Sequence, residues 1–174
     1  NGNVCIQRYK ASNMAAVDSV QIAKRHDLFG NITCDDGGNY YIAWGEADKD
    51  EKNSVTLCIS QYNYDGKFLK ECTFKGFDTG NYGSTWGTKE PFQSGNCSIV
   101  VNDGVLACNY ARTMYNGHQS NHVVYVKTDN MARLSGQEPY CSHSFDQRAI
   151  ALSDSGFLMA NQGDAYSRSF HVAY

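Results

Sequence analysis

Apolar and polar positions along this chain change over in short bursts of period two, not in the three- and four-residue steps of a helix. "VTLCISQY" (55–62) alternates, "NHVVYVKT" (121–128) is β-branched and aromatic, and "RSFHVAY" (168–174) repeats the form, with "NVCIQRY" (3–9) as an earlier relative. Patterning of this length predicts short strands. A second motif precedes three of these runs. "CDDGGNYYIAWGE" (34–46), "VVNDGVLACNYAR" (100–112) and "ALSDSGFLMANQGD" (151–164) each set Asp and Gly immediately ahead of an apolar stretch. Self-similarity of this kind signals a repeat architecture.

Asp-Gly and Gly-Asn pairs favour tight hairpin turns, so the strands are predicted to be antiparallel. Aligning the copies gives four strands per period. "NITC" (31–34), "CSIVV" (97–101) and "AIAL" (149–152) are strand A; "YYIAW" (40–44), "VLACNY" (105–110) and "FLMAN" (157–161) are strand B. The recurring run is strand C, and "KFLKECTF" (67–74) is strand D. Only "NMAAVDSVQIAK" (13–24) could pass for a helix, and alignment with "YDGKFLKECTFK" (64–75) reads its later half as another D strand. Four antiparallel strands repeated about every 50 to 65 residues are the arithmetic of a β-propeller. The expectation is an all-β chain, one β-propeller segment over 1–174, with periods of about 3–54, 55–120 and 121–174 and about three four-stranded blades. Propellers close with about four to eight blades. Three predict completion of the ring by further blades of the same chain or by a partner, because an open stack leaves strand edges unpaired.

The segment "CDDGGNYYIAWGE" followed by "VTLCISQYNYDGKFLKECTF" resembles a blade of NHL-type and related secreted bacterial propellers, with their D-x-G-N-x-Y turn and later D-G-K/N-x-L turn. "NYARTMYNGHQSNHVVYV" and "SHSFDQRAIAL…GDAYSR" are similar to segments of uncharacterised propeller-like proteins of Gram-positive bacteria. The resemblance implies the propeller fold and an extracellular or cell-surface location; it implies no particular activity, since propellers host many. Only the first copy keeps Asn39 after the glycines, and the third carries Ser155 inside its turn.

Composition narrows the function. A chain of 174 residues with 41% hydrophobic residues and a formal charge of −3 can build a core. Its scattered Lys and Arg form no basic stripe, so no nucleic-acid partner is expected. No run approaches the roughly 20 apolar residues of a spanning helix, so no membrane insertion is expected. Seven cysteines (5, 34, 58, 72, 97, 108 and 141) are an odd number without a CxxC spacing. They read as small buried hydrophobes between sheets, not as a disulfide framework or zinc site.

In the predicted topology the A–B and C–D turns, with Asp36-Gly37, Asp103-Gly104 and Asp65-Gly66, share one end. The other end carries longer connections at 75–96, 111–121, 135–148 and 162–167, including Tyr82. Loops on a rigid scaffold are where binding concentrates. This puts Glu46, Trp86, Arg112, His118, His143, Asp164 and Arg168 on one face, a set suited to binding a glycan or protein by charge-assisted hydrogen bonds and aromatic stacking. The alternative is that Arg112, Asp164 and Arg168 form salt bridges between blades while Trp86 packs under its loop.

Complete catalytic sets are missing. No G-x-S-x-G occurs, and Ser142-His143-Ser144 are neighbours that on a strand point to opposite sides. A polysaccharide hydrolase or lyase would draw its acid and base from Glu46, His118, His143 and Asp164, with Glu46 and Asp164 the only carboxylate pair the topology allows. The expectation is therefore a non-enzymatic binding module without cofactor or metal, with a structural assembly platform as a third reading. His118 and His122 lie i, i+4, but in a loop running into a strand, which does not present two ligands together. Asp48 and Asp50 in "ADKDEKNS" (47–54) are interleaved with Lys49 and Lys52 and lack the Gly and distal Glu of a calcium loop. Asp154 in "SDSGF" resembles an Asp-box turn without its later aromatic, so a turn-stabilising role is expected. Asn31-Ile32-Thr33 and Asn96-Cys97-Ser98 are formal glycosylation sequons. Both start strand A, nearest the axis, and neither is expected to be modified.

Overall fold

The computed structural model of the chain describes residues 2–47, 54–79, 84–165 and 168–174. Fourteen strands run in chain order: β1 (Val4–Tyr9), β2 (Ala16–Ile22), β3 (Leu28–Cys34), β4 (Tyr40–Gly45), β5 (Val55–Tyr62), β6 (Phe68–Lys75), β7 (Thr88–Pro91), β8 (Cys97–Asn102), β9 (Val105–Met114), β10 (Gln119–Lys127), β11 (Arg133–Leu134), β12 (Ser144–Ala151), β13 (Phe157–Gly163) and β14 (Ser169–Ala173). They form four antiparallel sheets: β1-β2, β3-β4-β5-β6, a five-stranded sheet in which β9 pairs β10 on one side and β7 and β8 on the other, and β12-β13-β14. Two short 3-10 turns, Gly76–Thr79 and Ser84–Trp86, lie between β6 and β7.

Strand patterning explains the layering. Every residue of β4 is buried, because its two faces serve different cores. Tyr41 and Ala43 join Leu57, Ile59, Phe74, Leu106, Tyr110 and Val126 in a core shared with the five-stranded sheet. Tyr40, Ile42 and Trp44 pack with Val20, Ile22, Cys58 and Tyr62 against the first sheet. A strand covered on both sides reads as a nearly continuous apolar run, and each large side chain so enclosed contributes on the order of 1.5–3 kcal/mol. A smaller core of Ala107, Val123 and Met159 joins the last two sheets.

The first strands of successive sheets, β3, β8 and β12, lie against one another. Asparagines stitch them together: Asn31 Nδ2 donates to the Cys97 carbonyl at 2.6 Å, and Asn102 Nδ2 donates to the Leu152 and Gly156 carbonyls at 2.9 Å each. Asn96 Nδ2 donates to Asp146 Oδ1 at 2.5 Å. The amide nitrogens of both sequons are thus already engaged within the fold.

The turns follow their sequences. Asp103 and Gly104 both have positive φ (46° and 75°), the two-residue turn that Asp-Gly favours. In the first copy the capping residue is Asp35, one position ahead of Asp36: its carboxylate accepts from the Asn39 amide and side chain and from the Tyr41 hydroxyl. Asp154 accepts from the Gly156 amide and the Tyr174 hydroxyl, the turn-stabilising role expected of it.

Several expectations need correction. The all-β, antiparallel character holds, and no closed ring is formed among the described residues, which the expectation of an incomplete propeller segment does not require. The connection at 111–121 is mostly strand, since β9 runs to Met114 and β10 starts at Gln119. The long β9 explains this: β7 and β8 both pair with it, end to end, and the Ala111 amide and carbonyl bond Asn96 and Phe92 between them. All seven cysteines are free thiols, but Cys5 and Cys34 are exposed, because β1 and the end of β3 lack a covering layer at those positions. Asp48, Lys49, Asp50, Lys52 and Tyr82 lie outside the described residues.

Candidate functional site

The residues expected to share one face separate into three neighbourhoods. His118 and His143 come together, their rings 5.8 Å apart and edge to face. The Asp164 amide donates to the His143 carbonyl at 3.4 Å, bringing that residue to the same corner. His143 has a positive φ of 50°, and its Nδ1 lies 3.2 Å from the Ser142 hydroxyl, a contact the strand-based expectation for Ser142-His143-Ser144 did not include. Arg168 is exposed just ahead of β14.

Trp86 and Arg112 make the second neighbourhood, next to the first through the paired tips of β9 and β10. The Trp86 ring stands edge to face with Tyr140 at 6.1 Å. Arg112 is a buried strand residue, 3% exposed. Its guanidinium donates to the Ser120 hydroxyl at 3.0 Å, to the Thr79 carbonyl and to the Thr88 hydroxyl at 3.4 Å. These partners are uncharged, and no ion pair joins Arg112, Asp164 and Arg168 among the described residues, so the interblade salt-bridge reading fails for them. Burial pulls the Arg112 pKa down, opposed by the fields of Tyr110, Glu138 and Tyr140. His122, from β10, is also buried, and burial together with the Arg112 charge holds it well below the ordinary histidine range. Its Nδ1 lies 3.4 Å from Glu138 Oε2. The His122 ring stands edge to face with Tyr110 at 5.8 Å, whereas the exposed His118 faces His143.

Trp86, Arg112, Asn121, His122, Glu138, Pro139 and Tyr140 enclose a pocket of only about 10 Å³. That is room for about one water molecule. A larger ligand would lie across its aromatic rim.

Glu46 belongs elsewhere. At the end of β4 it meets His26 Nδ1 at 2.7 Å, beside Cys58 and Glu71 and at the junction of the first two sheets. Glu46 and Asp164 therefore serve different sheets, with no shared cavity among those described.

A cleft at this end is one that sequence reasoning missed. Leu28, Phe29, Ala47, Glu90, Pro91, Phe92 and Gln93 line about 400 Å³ between the start of β3, the end of β4 and the end of β7. Leu28 and Phe29 are partly exposed (37% and 48%), although both open strand β3. Phe92 packs its ring against Tyr110 at 5.8 Å and has a positive φ of 66°, so the cleft wall is set by a constrained backbone. The signal that could have found it is the pair of adjacent apolar residues just ahead of strand A with no polar alternation.

No protein-family model matches the chain, and no curated protein matches it either.

Proposed function

We propose that the chain is a non-enzymatic binding module, a segment of a β-propeller of a secreted or cell-surface protein, that recognises a protein ligand at the end carrying its longer connections. The carrying observation is the cleft of about 400 Å³ lined by Leu28, Phe29, Pro91 and Phe92. A volume of this order with mostly apolar walls and a few polar groups suits an inserted side chain. Glu90 and Gln93 at its margin, on a chain of net charge −3, favour an aliphatic or aromatic side chain next to a basic one.

A glycan is the second reading, favoured by the exposed Tyr140 beside Trp86 and by His118 and His143 along the same rim. The enzyme reading has less support, because Glu46, the carboxylate expected to pair with Asp164, is engaged by His26 in a different sheet. Completion of the ring by further strands or a partner chain belongs to the same proposal, since β14 has a neighbour on one side only among the described residues.

Selection from a displayed peptide library, repeated on Phe29→Glu and on Trp86→Ala/Tyr140→Ala, tests it. Peptides with an apolar anchor whose binding falls at least tenfold in Phe29→Glu, but holds in the double variant, support the cleft. Glycan-array binding lost only in the double variant would replace it with the glycan reading. Polysaccharide turnover abolished by His143→Ala would overturn both.

A further inference from the structure

Away from the cleft and the rim, donors of metal-ligand type converge at one point from four parts of the chain. His26 comes from the connection between β2 and β3, Glu46 from the end of β4, Cys58 from the middle of β5 and Glu71 from β6. Ligand atoms of His26, Cys58 and Glu71 lie within 4.8 Å of one another, the only such group among the described residues. His26 Nε2 is 3.2 Å from Glu71 Oε2, and Cys58 Sγ is 3.9 Å from His26 Nδ1. Zinc bonds of about 2.0–2.3 Å to nitrogen, oxygen and sulfur put neighbouring ligand atoms about 3.3–3.8 Å apart; the His26 Nε2–Glu71 pair is already near that spacing, and Cys58, which neighbours the other ring nitrogen, would have to close in from within the 4.8 Å limit of the set.

We infer that His26, Cys58 and Glu71 form a binding site for a divalent metal ion of the zinc class. Its surroundings have the features such a site uses. Glu46 Oε1 accepts from His26 Nδ1–H at 2.7 Å, which leaves Nε2, 3.2 Å from Glu71 Oε2, as the nitrogen that would face an ion in exchange for its proton, the carboxylate–histidine–metal arrangement. Glu71 is itself oriented by the Ser60 hydroxyl at 2.6 Å and Arg25 Nε at 3.3 Å. Charge would also balance once the Cys58 thiol has lost its proton: a divalent ion and Arg25 bring three positive charges against one each from the Cys58 sulfur, Glu71 and Glu46. Coordination displaces the Cys58 thiol proton to solvent, forming the metal–sulfur bond as the S–H bond breaks. Cys58 is buried while His26 and Glu71 keep 17% of their side chains exposed, so an ion has a way in and a fourth position open to water. Bound there, the ion would tie the β2–β3 connection to β5 and β6 of the second sheet.

The experiment is Co²⁺ titration of the reduced full chain in a Cys5→Ser/Cys34→Ser background, followed by Zn²⁺ competition. One equivalent of Co²⁺ with a sulfur-to-cobalt charge-transfer band, displaced by Zn²⁺, is expected. The band should be lost in Cys58→Ser, His26→Gln and Glu71→Gln, retained in Cys72→Ser, and reached only at 10–100-fold higher Co²⁺ in Glu46→Gln. His26 is partly exposed, so His26→Gln keeps the test readable if Cys58→Ser fails to fold by circular dichroism. No stoichiometric uptake, or a band that survives His26→Gln and Glu71→Gln, would overturn the site.

Discussion

Asn96 holds Gln147 by its backbone: Asn96 Oδ1 accepts the Gln147 amide at 2.7 Å while the same side chain donates to Asp146. A residue between β7 and β8 thereby fixes the register of β12 in the next sheet. Replacing it by Ala leaves a partly buried amide unanswered, a loss of about 1–3 kcal/mol. Urea unfolding of Asn96→Ala should show that loss with an unchanged slope; a stability equal to the parent would mean water replaces the clasp.

His122 gives a pH dependence whose sign is fixed. Its folded pKa is depressed by burial and by Arg112, while in the unfolded chain it returns to about 6.5. The unfolded state therefore binds the extra proton, and the stabilisation present above about pH 6.5 is lost progressively as pH falls below it toward the folded value. Thermal melts between pH 7.5 and 5 should fall for the parent and flatten for His122→Gln. A parallel fall in both would show that His122 is not the group responsible.

Gly66 turns the chain from β5 to β6 at φ +78°, and a Cβ there would run into Val20 of β2. Gly66→Ala meets both a left-handed backbone penalty of about 1–2 kcal/mol and a clash between the first two sheets. A melting temperature lowered by several degrees is expected, whereas Gly117→Ala, with φ +82° and open space around it, should show the backbone penalty alone.

Thiol labelling reads the layering directly. In the native protein Cys5 and Cys34 should react quickly, and the buried Cys58, Cys72, Cys97, Cys108 and Cys141 only on unfolding. Mass spectrometry after brief alkylation should find two modifications in native buffer and seven in guanidinium; five or more in native buffer would contradict the described cores.

What could be read from the amino acids followed from locality. The alternation of β5 and the Asp103-Gly104 turn are set by neighbours in sequence, so strand type and hairpin order were legible. β7 was not, because its four residues are held by pairing with β9, and nothing in "TKEP" marks a strand. Arg112 looked like a loop cation because its acceptors, Thr79, Thr88 and Ser120, come from three separate segments. His26, Cys58 and Glu71 are far apart in the chain, and only strand register brings them together. Leu28 and Phe29 were read as lying outside strand A, which hid the cleft they line.

The recurring strand is enclosed in β5 and β10 but bare in β14, where Phe170 and Val172, with Tyr174 just beyond it, are 73%, 63% and 79% exposed. Among the described residues one flank of that strand has no neighbouring strand, so its backbone amides and carbonyls and three large side chains are open to contact. In this 174-residue chain that edge is where added strands would dock, and a charged residue in place of Val172 should weaken such docking.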